Sequence, residues 1–203
     1  DGRWAVAACI AFGAVLYLAA LQAQGVHLRY FTETEPLGTA GGVKNCMPFL
    51  GDEDFLVISG DAVCDLDLKQ AMDFHATRRP AATLVLHRHP TPLEYGLVLT
   101  DPEGRVERFV EKPAWGQVVT NQVNTGIYLL TRRAMDLVPE GKPFDFARDL
   151  FPALMERGEA LYGCVSEGYW CDMGDCRAYL DCVADALSGK VKLDLGAARV
   201  APG

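Results

Sequence analysis

Apolar positions along this chain recur with two periods, and segments of each kind take turns. Phe55-Leu56-Val57-Ile58-Ser59 carries four large apolar residues and no charge, which predicts a strand buried on both faces of a sheet. It ends abruptly at Gly60-Asp61. From Asp67 to Arg78, Leu68, Ala71, Met72 and His75 recur at helical spacing behind an Asp suited to cap the helix, and Pro80 stops it. Ala82 to Leu86 reads as the next strand. Ahead of these units, Val26 to Thr32 alternates like a strand, and Thr39 to Phe49 reads as a short helix opened by a Gly-rich turn. This strand-helix-strand rhythm predicts an α/β fold, a mixed, mostly parallel sheet with helices on both faces.

A different texture follows. Tyr95 to Thr100 and Val106 to Val110 are strand-like, and Asp101-Pro102-Glu103-Gly104 between them suits a hairpin turn. Gln122 to Leu130 predicts a strand, Phe146 to Arg157 an amphipathic helix ended by Gly158, and Asp175 to Leu187 a helix ended by Gly189.

The N-terminus departs from this pattern. Trp4 to Leu21 is uncharged and Ala-rich, and as a helix it would be about 27 Å long, marginally enough to span a bilayer. Gly13 interrupts it, no aromatic or basic belt flanks both ends, and a soluble pattern resumes at Gly25. A membrane anchor is therefore disfavoured against a buried strand-helix piece or an altered N-terminal region. No A-x-A pattern closes the run as a secretory leader would require. The chain divides into an atypical apolar segment, 1–24, a main domain, 25–189, and a short tail, 190–203, that reads as the start of a further element.

Composition narrows the function classes. A chain of 203 residues, half of them apolar, buries roughly 70% of its unfolded surface and needs no cross-links. With 19 basic against 27 acidic residues the formal charge is −8, which disfavours a nucleic-acid surface and leaves anionic substrates dependent on local cations or a metal. The seven cysteines include no C-x-x-C pair, which argues against a zinc site or a disulfide framework and for a reducing, cytoplasmic setting.

Several short segments carry candidate chemistry. Asp61, just past a buried strand, lies where open α/β sheets place ligands, although an Asp there also suits a simple turn cap. Pro36-Leu37-Gly38-Thr39-Ala40-Gly41-Gly42-Val43-Lys44 fails as a phosphate loop, because Val43 separates glycine from lysine and Asn45 follows. It remains a helix-start turn with Thr39 available as a cap, or a loop whose N–H groups approach a ligand. Glu111-Lys112-Pro113 presents an acid and a base on a stiff segment, or a solvated charge pair. Asn124-Thr125-Gly126 inside an apolar strand suits sugar hydroxyls or a bulge. In Tyr169-Trp170-Cys171-Asp172-Met173-Gly174, an acid in an apolar strand needs a partner or a cation.

Taken in order, Glu35-Pro36-Leu37-Gly38-Thr39-Ala40-Gly41, Ser59-Gly60-Asp61, Tyr95-Gly96, Glu111-Lys112-Pro113, Val123-Asn124-Thr125-Gly126 and Gly168 to Gly174 resemble the sugar-1-phosphate nucleotidyltransferases. The likeness covers residues 25–203 and is nearest to the mannose-1-phosphate guanylyltransferases and the glucose-1-phosphate enzymes. The tail, with Ser188 to Leu193 and Ala201-Pro202-Gly203, looks like the lead into the left-handed β-helix that many members carry.

The resemblance implies a Rossmann-like nucleotide-diphospho-sugar transferase fold and transfer of a nucleotidyl group from an NTP to a sugar-1-phosphate. It implies nucleotide contacts at Leu37, Gly38, Thr39 and Gly41, and sugar contacts at Gly96, Glu111, Asn124, Thr125 and Gly126. Lys112 matches the sugar-phosphate contact, and Asp61 and Asp172 match the carboxylates that hold catalytic Mg²⁺. The implied partners are an NTP, GTP first, and a hexose-1-phosphate, with self-association into a homo-oligomer left open. One part of the pattern is missing. Members open with a Gly-rich, Arg-bearing loop that grips the triphosphate, and Asp1 to Gln24 contains nothing like it. The fold is therefore expected without its first strand and signature loop, and the chain as an incomplete, poorly active form. A catalytically silent regulatory paralogue and a membrane-tethered nucleotide-sugar-binding module are the alternatives.

Overall fold

The computed structural model describes residues 29–110, 114, 116 and 118–192, together with the backbone of 5–9. In chain order the strands are β1 (Ala5–Cys9), β2 (Phe55–Ser59), β3 (Ala62–Cys64), β4 (Ala82–Arg88), β5 (Leu97–Thr100), β6 (Val106–Val110), β7 (Gln122–Leu130), β8 (Leu161–Val165) and β9 (Trp170–Asp172). The helices are α1 (Gly38–Leu50), α2 (Leu68–Arg78), α3 (Phe151–Glu156) and α4 (Cys176–Leu187). The main sheet runs β1-β2-β7-β4-β8, with the β5–β6 hairpin attached through Leu97 opposite Val123. Along that path β1, β2, β4 and β8 point the same way, and β7 alone runs against them. The expected mixed, mostly parallel sheet is what forms.

Strand alternation sorts the core onto two faces. Phe55 and Val57 of β2 join Leu84, Leu86, Tyr128 and Leu130 in a cluster sealed by Ala40, Val43 and Met47 of α1 and by Phe151 and Leu154 of α3. Leu56, between them, points the other way and meets Val85, Ile127, Leu129 and Ala71 of α2. Helices thus cover both faces. The fully apolar reading of Phe55 to Val57 follows from this burial on two sides. Asp67 caps α2 as its position predicts, its carboxylate accepting the N–H of Gln70 at 3.0 Å.

Three expectations need correction. At 29–32 the backbone is irregular, not a strand; Phe31 pairs with Phe49 at a ring separation of 6.4 Å, and Val26 to Leu28 lie outside the described residues. The single helix expected from Phe146 to Arg157 divides into a wide π-helical turn, Phe146–Leu150, and α3. Pro152 near the start of α3 has no N–H with which to continue the ladder through that point. The apolar N-terminal segment contributes β1 to the main sheet, so the sheet draws on residues ahead of position 25. No helix among the described residues is long and apolar enough to cross a membrane.

Among the described residues, one fully buried imidazole lies beside the apolar core. His75 of α2 is 0% exposed; its Nδ1 pairs with the Thr83 hydroxyl at 2.8 Å, and Asp54 Oδ2 stands 3.5 Å from Nε2. Burial, the dominant influence, pulls its pKa below the ordinary histidine range, with Asp54 pulling weakly the other way. The unfolded chain therefore takes up this proton first as pH falls. Stability should decline as pH drops below about 6.5, and His75→Gln should flatten that decline relative to the native chain. Thermal midpoints across this window check it; identical slopes in both proteins would show that His75 does not carry the effect.

Candidate active site

The carboxyl ends of β2, β4 and β8 and the N-terminal half of the opposed strand β7 meet along one edge of the sheet, where open α/β folds bind ligands. A cleft of about 500 Å³ opens there. Of the residues predicted for the site, Thr39, Asp61, Gly96, Asn124, Thr125, Gly126 and Asp172 line it. Leu37, Gly38 and Gly41 do not appear in the lining, and Glu111 and Lys112 lie outside the described residues.

Asp61 and Asp172 are brought together by a two-stranded ribbon. Past β2 the chain turns at Gly60-Asp61 and returns as β3, which pairs antiparallel with β9, so that Ala62 faces Asp172. The N–H of Met173 donates to the Asp61 carbonyl at 3.1 Å and closes the end of the ribbon. At the other end, the Asp65 carboxylate accepts the N–H groups of Tyr169 at 2.6 Å and Lys192 at 2.8 Å. Those two bonds, that of Lys192 foremost, hold the Asp65 carboxyl below its usual range.

The electrostatics of the pair are asymmetric. Asp61 is exposed and accepts the Ser59 hydroxyl. The Asp172 carboxyl is pushed above the usual carboxylate range, first by burial, then by the neighbouring charges of Asp61 and Asp175. A hard divalent cation between the two carboxylates would relieve that repulsion. No group of three or more His, Cys, Asp or Glu among the described residues could hold a metal. Two carboxylates suit Mg²⁺, which keeps waters and substrate phosphates as its remaining ligands, and do not suit an ion needing an all-protein cage.

β7 contributes the opposite wall through a bulge. Between Leu84 and Leu86 the β4–β7 register shifts, and Thr125 and Gly126 occupy the excess. The Thr125 hydroxyl is spent inside the protein, donating to the Val85 carbonyl at 2.7 Å. Asn124 is oriented on both sides of its amide: Nδ2 donates to the Tyr128 hydroxyl at 2.9 Å, and Oδ1 accepts the Gly126 N–H at 3.3 Å. Its backbone N–H meets the Gly96 carbonyl at 2.8 Å, which ties the two predicted sugar-side segments together.

The Gly-rich turn packs closely against the 142–146 segment. The N–H groups of Ala40 and Gly41 both donate to the Phe144 carbonyl at 3.0 Å. A Cβ on Gly38 would stand 2.8 Å from that oxygen, and one on Gly41 would stand 2.9 Å from the Lys142 carbonyl. These glycines permit close approach of the 142–146 segment. Thr39 does not cap its helix, for Leu37 holds that position without a side-chain bond. The Thr39 hydroxyl instead donates to Asp145 at 2.8 Å and accepts the Phe146 N–H at 3.0 Å.

The cleft also contains residues outside every motif quoted above, Glu94, Tyr128, Asp145 and Arg148, together with Tyr95 and Trp170, which stand in those motifs without an assigned role. Tyr95 and Trp170 meet edge to face at 5.2 Å. Asp145, an acid directly ahead of an apolar-periodic run, carried a legible cap signal. Its carboxylate does cap the π-helical turn, accepting the N–H groups of Ala147 and Arg148 at 2.9 and 3.1 Å.

Comparison with known proteins places this arrangement. The chain is 38% identical over 168 residues to the mannose-1-phosphate guanylyltransferase of Mycobacterium tuberculosis, covering 82% of this chain and 46% of that protein. It is 35% identical over 172 residues to the UTP–glucose-1-phosphate uridylyltransferase of Synechocystis, covering 82% and 44%. The chain thus spans less than half the length of these curated relatives. Among solved structures, a putative glucose-1-phosphate thymidylyltransferase from Bacillus anthracis superimposes with a TM-score of 0.73 at 23% identity, over 89% of this chain and 72% of that one. HddC from Yersinia pseudotuberculosis complexed with GMP-PN gives 0.70 at 24% identity, over 84% and 73%. At these identities the superpositions speak for the fold. The profile of the family described as nucleotidyl transferase matches residues 10–189, and the chain belongs to that family, as the order of its motifs implies.

Proposed function

We propose that this cleft transfers a nucleotidyl group from an NTP to a sugar-1-phosphate, releasing pyrophosphate and giving an NDP-sugar of the GDP-mannose type. The observation that carries the reading is the convergence of Asp61 and Asp172 through the β3–β9 ribbon, opposite the Asn124 bulge, in one cleft at the sheet's carboxyl edge. A mannose-1-phosphate guanylyltransferase among the relatives supports the choice of GTP and mannose-1-phosphate.

In such a transfer the sugar-phosphate oxygen attacks the α-phosphorus in line, and the protein positions two anions and offsets their charge. Asp61 and Asp172 would hold Mg²⁺, which supplies that offset when bound. The oriented amide of Asn124 offers a donor and an acceptor to sugar hydroxyls, while Thr125 keeps the bulge in place. The cleft lining holds four carboxylates, Asp61, Glu94, Asp145 and Asp172, so substrate phosphates cannot enter favourably without cations.

Titration calorimetry with GDP-mannose tests the reading, the expected result being weak binding that requires Mg²⁺. Identical affinity with and without Mg²⁺ would overturn it. Pyrophosphate release from GTP and mannose-1-phosphate by the 203-residue chain should stay near background, because losing even one preorganised donor costs on the order of 3–4 kcal/mol in the transition state. It should recover when a family-type N-terminal strand and signature loop replace Asp1 to Gln24.

A further inference from the structure

Arg148 is the one cation among the described residues that line the cleft, set against four carboxylates. Its guanidinium has no hydrogen-bond or ion-pair partner among the described residues, although two acids are close in sequence. Both acids are committed elsewhere. Asp145 accepts from Thr39, Ala147 and Arg148 backbone or hydroxyl groups, and Asp149 Oδ2 accepts the Asp145 N–H at 2.7 Å.

The backbone that bears Arg148 is well anchored. Phe146, two residues earlier, is 2% exposed and packs on Tyr128 at 5.0 Å and Phe151 at 5.7 Å. Asp145 fixes the N–H of Arg148 itself at 3.1 Å, and Thr39 bolts the turn to the start of α1. A guanidinium with no partner among the described residues, on an anchored turn in an acidic cleft, is placed to meet an anion, and its planar fork suits phosphate oxygens.

We propose that Arg148 binds a phosphate group of the substrate pair, an assignment that rests on the nucleotidyl-transfer reading of the cleft. It adds a cation from the 145–148 turn to the Lys112 implied by the motif resemblance, and it explains how an otherwise acidic pocket admits phosphate.

The test is calorimetric titration of the native chain, Arg148→Gln and Arg148→Lys, in Mg²⁺, with mannose-1-phosphate, free mannose and GTP as separate probes. Loss of a charge-assisted phosphate contact should weaken binding about 10- to 100-fold in Arg148→Gln, with partial rescue in Arg148→Lys. Binding of free mannose should not change, which a merely structural role would not permit. Weakening confined to mannose-1-phosphate assigns Arg148 to the sugar phosphate, and weakening confined to GTP assigns it to the triphosphate. If the native chain binds both phosphorylated probes and Arg148→Gln binds them equally well, the Arg148 assignment is wrong and the transfer reading stands. If the native chain binds neither, both fall together.

Discussion

Asp172→Asn should abolish the Mg²⁺ dependence of GDP-mannose binding while leaving the fold as stable as before, or more so. The two halves of that expectation come from one fact. The pKa of the Asp172 carboxyl is raised by burial and by Asp61, so its charged form is disfavoured without a bound cation, and a neutral amide of the same shape removes that liability. The same charge is what a hard cation needs. Changing a residue that merely orients a metal ligand costs 10- to 100-fold in metal affinity, so removing a ligand itself should cost on the order of 100-fold or more. Asp61→Asn should lose Mg²⁺ dependence similarly, and in addition disturb the bond from Ser59. Calorimetry with and without Mg²⁺, alongside thermal denaturation of each variant, separates the outcomes. An Asp172→Asn protein that keeps its Mg²⁺ dependence would exclude the shared carboxylate site. One that melts much lower than the native chain would instead mark Asp172 as a structural residue.

Much of the fold was legible because burial leaves a trace in the periodicity. β2, β4, β6, β7, α2 and α4 form where the pattern of apolar residues predicts them, within two residues at each end. Strand direction leaves no such trace. Gln122 to Leu130 reads as a strand in either orientation, and only the pairing of Phe55 with Leu130 and Ile58 with Ile127 shows it running against its neighbours. Short elements were also lost: β3 has three residues, and its partner β9 makes it a strand across more than a hundred positions of sequence. The π-helical turn depends on Pro152, whose effect on the hydrogen-bond ladder overrides the helical period around it.

The site divides in the same way. Asp61 and Asp172 stood out because an acid beside large apolar residues is costly without a purpose. Their proximity was visible only through the motif resemblance, since no local pattern encodes the β3–β9 pairing. Arg148 carried no signal at all. An arginine in an amphipathic segment is ordinarily a solvated side chain, and its meaning here comes from which walls of the cleft surround it. The glycines of the 38–42 turn were legible as needed but not for what; the reason is the Phe144 carbonyl, which arrives from far along the chain.

Gly126 joins stability and site in one residue, and Gly126→Ala should cost about 3 kcal/mol or more of folding stability. Its φ of +76° already taxes any residue with a side chain, by roughly 1 kcal/mol or somewhat above. A Cβ there would also sit 2.9 Å from the Ser59 Cβ, closer than real contacts allow, at the point where β2 and β7 are joined by the pairing of Ile58 with Ile127. Relief requires the strands to part or Ser59 to move, and Ser59 is the donor that holds Asp61. Gly141→Ala is the internal control. Its φ is +64° and nothing lies within 4 Å of the Cβ position, so it should cost only the conformational part, about 1 kcal/mol. Urea denaturation of both variants gives the difference directly. A Gly126→Ala loss no greater than that of Gly141→Ala would mean that the β2–β7 junction yields easily, and that Asp61 is not held in place by the bulge.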